Sequence, residues 1–272
     1  MNDIVKAALL GIVEGVTEFL PVSSTGHLII VNQWLSFDPA FTAAFDVAIQ
    51  FGAVLSVLAL YRKKLFAFGP GTGEGSARST FSLWIKVTVG VLPALVLGFL
   101  FDDFMEEHLF NATVVAIALV VGGIALLLLD RRPASGRFAS VDVLPLRIAL
   151  AIGAIQCLAM IPGTSRSAAT IVGAVLLGAS RVAAVEFSFL LALPTIAAAS
   201  GYSLLKLDKS VLAANVPALA VGALVSFVVA ALVASGFLRF IGKRNFAVFG
   251  WYRIALGLII LGLLAASFTF AA

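Results

Sequence analysis

The chain has 272 residues, of which 61% are hydrophobic and only 12% are charged, whereas soluble domains carry about 25% charged residues. This composition excludes a soluble globular protein and predicts an all-α membrane protein that crosses the bilayer several times. The net charge of +4 is small, and the basic residues lie in short loops between apolar segments, which argues against a nucleic-acid partner.

Six apolar segments have close to the length of about 20 residues that a membrane-spanning helix needs. They are residues 41–60, 82–101, 112–129, 183–205, 214–236 and 247–269. Four shorter apolar segments are joined in pairs by polar turns that contain proline. They are residues 3–19 with 22–35, and 147–161 with 165–178. A helix of about 14 residues rises only about 21 Å, so each pair is predicted to form a re-entrant helical hairpin whose tip reaches the membrane interior.

The charges of the loops predict the orientation of the chain. Loops 61–81, 130–147 and 237–246 are rich in lysine and arginine, and loop 102–108 is acidic. The positive-inside rule places the basic loops in the cytoplasm. Both termini then lie outside, the first hairpin enters the membrane from outside, and the second enters from the cytoplasm.

Two pairs of segments recur along the chain at nearly the same spacing. PVSSTGH at 21–27 aligns with PGTSRSA at 162–168, and AAFDVAIQ at 43–50 aligns with AAVEFSFL at 183–190. The alignment makes Asp46 equivalent to Glu186. Since the two hairpins enter from opposite sides, the repeat predicts an inverted-topology architecture with a site near the midplane.

The repeat also predicts the domain organisation. We expect a single membrane domain over residues 1–272, built from one half at about 1–130 and another at about 140–272.

Ionisable residues lie in or beside both predicted tips, where a charge costs roughly 2.5–3.5 kcal/mol to insert. They are Glu14, Glu18, His27 and Arg166. Glu14 and Glu18 are four residues apart, so their carboxylates project from one face of a helix. Neighbouring carboxylates need a cation or a shared proton. We therefore predict a divalent cation, Mg2+ or Ca2+, that bridges Glu14 and Glu18 to a diphosphate.

The second tip has the donors that bind an oxyanion. Arg166 offers a planar fork of five N–H donors that suits phosphate. Thr164, Ser165 and Ser167 add hydroxyl groups, Gly163 lies in the same turn, and the start of the following helix adds backbone N–H groups and a favourable dipole. This tip is predicted to bind the phosphate groups of a substrate.

The first tip has the groups that act on phosphorus. Either Ser24 or an activated water is the attacking group, and either His27 or Glu18 is the base. We favour Ser24, because a hydroxyl fixed at the tip needs no positioned water. An oxyanion-binding tip that faces carboxylates, a serine and a histidine is typical of phosphoryl transfer.

EGVTEFLPVSSTGH and PGTSRSAAT resemble the E-x-x-x-E motif and the P-G-x-S-R-S-x-x-T motif of the bacterial undecaprenyl-pyrophosphate phosphatases, the bacitracin-resistance family. The resemblance runs essentially from end to end. It implies an integral enzyme of the bacterial plasma membrane that converts the polyprenyl pyrophosphate lipid to undecaprenyl phosphate and recycles this carrier for peptidoglycan synthesis. It also implies a divalent cation and an active site open to the periplasmic side.

The resemblance also assigns site residues. The functional positions that it implies are Glu14, Glu18, Ser24, His27 and Arg166. The supporting positions in the same two turns are Ser23, Thr25, Gly26, Gly163, Thr164, Ser165 and Ser167.

Three further interpretations are open. A secondary transporter or lipid flippase is the alternative function, because inverted repeats with broken helices are a transporter design. Faces rich in small residues at 220–226 and 255–264 suit close helix packing, the lipid tail or a homodimer partner. Lys86 and Arg253 lie near segment ends and are interpreted as cations that extend to the membrane interface.

Overall fold

The computed structural model describes residues 2–67, 76–131, 134–206 and 209–266. Within these ranges the chain forms ten α-helices, two short 3₁₀ helices and no β-strand. The α-helices, in chain order, are α1 (Asp3–Thr17), α2 (Ser24–Leu35), α3 (Pro39–Leu65), α4 (Ala77–Leu109), α5 (Ala112–Leu129), α6 (Leu146–Gln156), α7 (Arg166–Leu176), α8 (Arg181–Lys206), α9 (Lys209–Ile241) and α10 (Ala247–Ala265).

Six of these helices contain a stretch that is long and apolar enough to cross a membrane. The stretches are Ala44–Leu65, Ala77–Phe101, Ala112–Leu129, Arg181–Tyr202, Ala213–Ile241 and Ala247–Ala265. They coincide with the six segments expected from hydropathy. The prediction of an all-α polytopic membrane protein with six candidate spans is therefore confirmed.

The remaining helices form two short pairs, α1 with α2 and α6 with α7. These four helices have 11 to 15 residues, so each rises only about 16 to 22 Å. Each pair folds back at a turn that contains a proline, Pro21 in the first and Pro162 in the second. That the pairs are re-entrant, and that the two halves are inverted, stay predictions.

Small residues allow the short helices to approach the long ones closely. α1 packs against α9, and α6 packs against α4. A Cβ atom on Gly15 of α1 would lie 2.8 Å from the carbonyl oxygen of Ser226 in α9, and one on Gly153 of α6 would overlap the backbone of Gly90 in α4. The small-residue face at 220–226 therefore serves helix packing within the chain.

Two cations interpreted from the sequence as interfacial are buried instead. The Nζ atom of Lys86 donates to the carbonyl oxygens of Val141 and Asp142, and Arg253 has no exposed surface at all. That interpretation is wrong, because backbone carbonyl oxygens surround both cations inside the protein: those of residues 141–142 for Lys86, and those of α5 and both tips for Arg253.

Candidate active site

Each tip contains a serine in a strained backbone conformation immediately before a helix. Ser23 has φ 73° and precedes α2, and Ser165 has φ 70° and precedes α7. The side chain of each serine caps its helix by accepting from a backbone N–H, of Gly26 in the first case and of Ala168 in the second. Strained residues of this kind cluster at functional sites.

The two caps pair the tips in a register that differs by one residue from the sequence alignment, while the repeat itself stays a prediction. The sequence alignment pairs Ser24 with Ser165, whereas the conformation and the capping pair Ser23 with Ser165. Ser24 and Arg166 are then equivalent, since each is the first residue of its helix. The two equivalent positions carry a hydroxyl in one half and a guanidinium in the other.

The carboxylate of Glu18 joins the two tips. Its Oε2 accepts from Ser24 Oγ at 2.7 Å, and its Oε1 accepts from Arg166 Nη2 at 3.0 Å. Arg166 also donates through Nη1 to the carbonyl oxygen of Ser188 at 2.8 Å. The side chains of Glu18 and Arg166 are only 7% and 11% exposed. Such a charge-assisted, largely buried pair is a strong interaction that fixes both side chains.

A cavity of about 240 Å³ opens beside this pair. The cavity is lined by residues from both tips and from the neighbouring helices: Glu18, Ser23, Ser24, Thr25, Gln50, Ala94, Gln156, Ala159, Met160, Gly163, Ser165, Arg166, Thr195, Ile196 and Ala199. The amide oxygen of Gln156 is buried and has no hydrogen-bond partner in the described part of the chain. Both polar and apolar side chains therefore line the cavity, as is usual for a ligand site.

Glu14 lies fully buried behind Glu18, and within the described ranges neither of its carboxylate oxygens has a hydrogen-bond partner. The carboxylates of Glu18 and Asp46 and the guanidinium of Arg166 are close enough to interact with it electrostatically. The described residues contain no cluster of three or more histidine, cysteine, aspartate or glutamate side chains that would hold a metal alone. One or two carboxylates with substrate phosphates are enough for Mg2+. Glu18 lines the cavity and Glu14 does not, so a cation that arrives with substrate would meet Glu18 first and could reach the orphaned oxygens of Glu14 only beyond it.

His27 lies beside the first tip, but both of its ring nitrogens have hydrogen-bond partners other than Ser24. Nδ1 lies 2.7 Å from the carbonyl oxygen of Ser23, and Nε2 lies 2.6 Å from the hydroxyl of Tyr252. The His27 and Tyr252 rings are stacked with centroids 5.6 Å apart. The group that the structure brings to the Ser24 hydroxyl is therefore Glu18.

Three other predicted site residues contribute to the turns. Ser167 Oγ lies 3.0 Å from Ser165 Oγ and donates to the carbonyl oxygen of Leu20 at 2.9 Å, which ties the second tip to the first. Gly26 donates its backbone N–H to Ser23. Thr164 accepts a hydrogen bond on its carbonyl oxygen.

That bond comes from Arg253, which the sequence reasoning did not place at the site. Its guanidinium donates to the carbonyl oxygens of Pro21 in the first tip and of Gly163 and Thr164 in the second, at 3.0 to 3.2 Å. Tyr252, its neighbour on α10, was also missed. The sequence did contain a signal for Arg253: it is a cation inside the apolar segment 247–269, six residues after the start of that segment.

Comparison with known proteins identifies the family of the chain. Residues 7–259 match the family model described as bacitracin resistance protein BacA. The chain is 46% identical over 261 residues to undecaprenyl-diphosphatase 1 of Clostridioides difficile, with 95% of each chain covered. It is 45% identical over 272 residues to the undecaprenyl-diphosphatase of Lactiplantibacillus plantarum, with 96% of this chain and 98% of the relative covered. The undecaprenyl-diphosphatase of Methylococcus capsulatus is 46% identical, with 96% of this chain and 95% of the relative covered. Over nearly its whole length, the chain belongs to the bacitracin resistance protein BacA family.

Proposed function

We propose that this chain is a phosphatase that hydrolyses undecaprenyl diphosphate to undecaprenyl phosphate and inorganic phosphate. The names of its relatives support the substrate. The observation that carries the chemistry is the Glu18 carboxylate, which is bonded to the Ser24 hydroxyl on one oxygen and to the Arg166 guanidinium on the other. A nucleophile, a base and an anion-binding group thus meet at one cavity.

The terminal phosphate of the substrate is proposed to bind at the second tip. Arg166 Nε is buried and without a partner in the described structure, so this donor is available to a phosphate oxygen. The N-terminus of α7 adds its dipole. The diphosphate thereby replaces part of the interaction that Arg166 makes with Glu18 and frees this carboxylate to act as a base.

In the proposed step, Ser24 Oγ attacks the terminal phosphorus and transfers its proton to Glu18. The bond between this phosphorus and the bridging oxygen breaks, and undecaprenyl phosphate leaves with the electron pair. Water then attacks the phosphorus of the serine phosphate and inorganic phosphate leaves, while Glu18 returns its proton to Ser24 Oγ as the bond between this oxygen and phosphorus breaks. In the alternative that the residues leave open, Glu18 activates a water that attacks phosphorus directly.

A divalent cation, Mg2+ or Ca2+, is part of the proposal. Glu14 and Glu18 are the residues that would hold it, since the Glu14 oxygens are buried without partners. When bound, such an ion neutralises the negative charge of the diphosphate.

The proposed setting is the bacterial plasma membrane, with the active site toward the periplasmic or extracellular side and both termini outside. There the product is the lipid carrier that is recycled for peptidoglycan synthesis, and recycling confers bacitracin resistance. A second copy of the chain as a homodimer partner also stays a proposal.

The test is phosphate release from undecaprenyl diphosphate or farnesyl diphosphate by the purified protein in detergent, with Mg2+, with Ca2+ and with EDTA. Glu18→Gln and Arg166→Ala are expected to lower kcat/KM by at least 100-fold. Glu107→Gln is the matched control, because its side chain is 78% exposed. Absence of release from the wild type with either metal would reject the phosphatase and favour the transporter or flippase.

A further inference from the structure

Two neighbouring residues of α10 reach the tips that form the candidate active site. The fully buried Arg253 donates to the carbonyl oxygen of Pro21 at 3.2 Å and to those of Gly163 and Thr164 at 3.0 Å each. It also donates to the carbonyl oxygens of Ala118 and Leu119 in α5. One guanidinium therefore holds the backbone of both tips against a spanning helix.

Tyr252 reaches the first tip through His27. A carbonyl oxygen can only accept, so His27 Nδ1 must carry the hydrogen that faces the Ser23 carbonyl oxygen. In the neutral ring Nε2 is then unprotonated and accepts from the Tyr252 hydroxyl. Both ring nitrogens of His27 are occupied by these partners.

The anchored carbonyl groups flank the strained turns. Pro21 and Ser23 surround the bend that leads to Ser24, and Gly163 and Thr164 immediately precede Ser165 and its helix. Residues with positive φ keep that conformation only when their surroundings hold them. The same segment of α10 supplies an anchor for each turn, directly through Arg253 and indirectly through Tyr252.

We propose that Tyr252 and Arg253 are positioning residues for phosphate release, and that His27 links Tyr252 to the Ser23 backbone instead of accepting a proton. This inference rests on the proposed phosphatase function. Small displacements of reacting groups lower rates about 100-fold, so anchors on both turns keep the Ser24 hydroxyl and the Arg166 guanidinium aligned across the cavity.

The experiment measures kcat, KM and the pH dependence of kcat for undecaprenyl diphosphate hydrolysis in detergent. Tyr252→Phe keeps the ring stacked on His27 and removes only the hydroxyl. We expect it to lower kcat about tenfold, with KM within about threefold and an unchanged shape of the pH profile. Trp251→Phe is the control, because Trp251 is on the same helix and 64% exposed; it should match the wild type.

A double-mutant cycle tests whether Tyr252 acts on the Ser23 backbone through His27. His27→Gln should lower kcat without changing the shape of the pH profile, and adding Tyr252→Phe should lower it no further, because Tyr252 acts through His27. Arg253→Lys keeps the charge but offers three donors in place of a planar fork, and we expect kcat to fall about 100-fold. The thermal midpoint and elution volume of each variant verify folding, and if Arg253→Lys does not fold, the cycle alone decides.

Two outcomes would overturn the inference. One is a limb of the wild-type pH profile that disappears in His27→Gln, which would make His27 the base. The other is Tyr252→Phe with the kcat of the wild type. Absence of wild-type release would instead reject the phosphatase itself, so the two failures are distinguishable.

Discussion

Ser23 and Ser165 share one backbone conformation, with φ 73° and 70°, and each accepts a hydrogen bond from the backbone N–H three residues further on. They are the described non-glycine residues with positive φ. The strained backbone therefore destabilises each tip, whereas the capping hydrogen bond stabilises it.

Ser165→Gly and Ser165→Ala separate these two effects. Glycine relieves a conformational strain of about 1–3 kcal/mol and loses only a few tenths of a kcal/mol of capping, whereas alanine keeps the strain and loses about 1 kcal/mol. We expect Ser165→Gly to match or exceed the wild type in thermal midpoint and Ser165→Ala to fall by about 2–4 °C. Thermal unfolding followed by tryptophan fluorescence measures this difference. A midpoint for Ser165→Gly as low as that of Ser165→Ala would contradict the strain.

Removal of metal should abolish phosphate release, and added Mg2+ should restore it. Glu14→Gln keeps the shape of the side chain but cannot become a negatively charged ligand, so we expect the Mg2+ concentration for half-maximal activity to rise about 10- to 100-fold. This is the range known for residues that support a metal site. A metal titration of initial rates gives the value. Equal metal requirements in Glu14→Gln and in the wild type would show that Glu14 does not hold the ion.

The close packing of helices at Gly52 predicts that a larger side chain there would lower the stability of the protein. A Cβ atom there would overlap the backbone of Ala223, while one on Gly262 would meet no atom within 4 Å. Gly52→Ala should therefore destabilise the protein by about 1–3 kcal/mol and lower the thermal midpoint by several degrees. Gly262→Ala, the matched control in α10, should be neutral or stabilising by up to about 1 kcal/mol. Equal midpoints for the two variants would contradict the observed contact.

The spanning helices could be predicted from the sequence because the bilayer fixes the length of each segment. The two tips could be found because Pro21 and Pro162 interrupt apolar helices beside polar residues. The sequence predicted that the two tips face each other. It did not predict that Ser24 and Arg166 both bond to Glu18, because Ser24 and Arg166 are far apart along the chain. The sequence supplied the chemical groups of the site, and tertiary packing decided their partners.

The hydrogen-bond partners of His27 and the burial of Arg253 could not be predicted from the sequence. His27 is three residues from Ser24, but the first turn of α2 directs its ring back to the carbonyl of Ser23, four residues earlier. Arg253 lies near the start of an apolar segment, a position typical of interfacial cations. Its burial depends on where α5 and both tips present their carbonyl groups, and no local pattern encodes this.

Orientation can be tested with single cysteines in a Cys157→Ser background. Glu107 lies in the last turn of α4 and Lys243 lies between α9 and α10, and both are exposed. The positive-inside rule predicts that Glu107→Cys faces outside and Lys243→Cys faces the cytoplasm. A membrane-impermeant maleimide should label the first in intact cells and the second only after permeabilisation. The reverse pattern would invert the proposed topology.

Ser24→Ala distinguishes the two proposed routes of attack. If Ser24 Oγ is the nucleophile, the variant should lose at least 1000-fold in kcat, and acid quenching of the wild type with substrate labelled at the terminal phosphorus should trap a phosphoprotein that Ser24→Ala lacks. Ser235→Ala is the control, because this hydroxyl donates to the carbonyl oxygen of Ala231 on its own helix. Activity of Ser24→Ala within about tenfold of the wild type, about 1.4 kcal/mol of barrier, would instead assign the attack to water activated by Glu18, whose carboxylate remains paired with Arg166 in that variant.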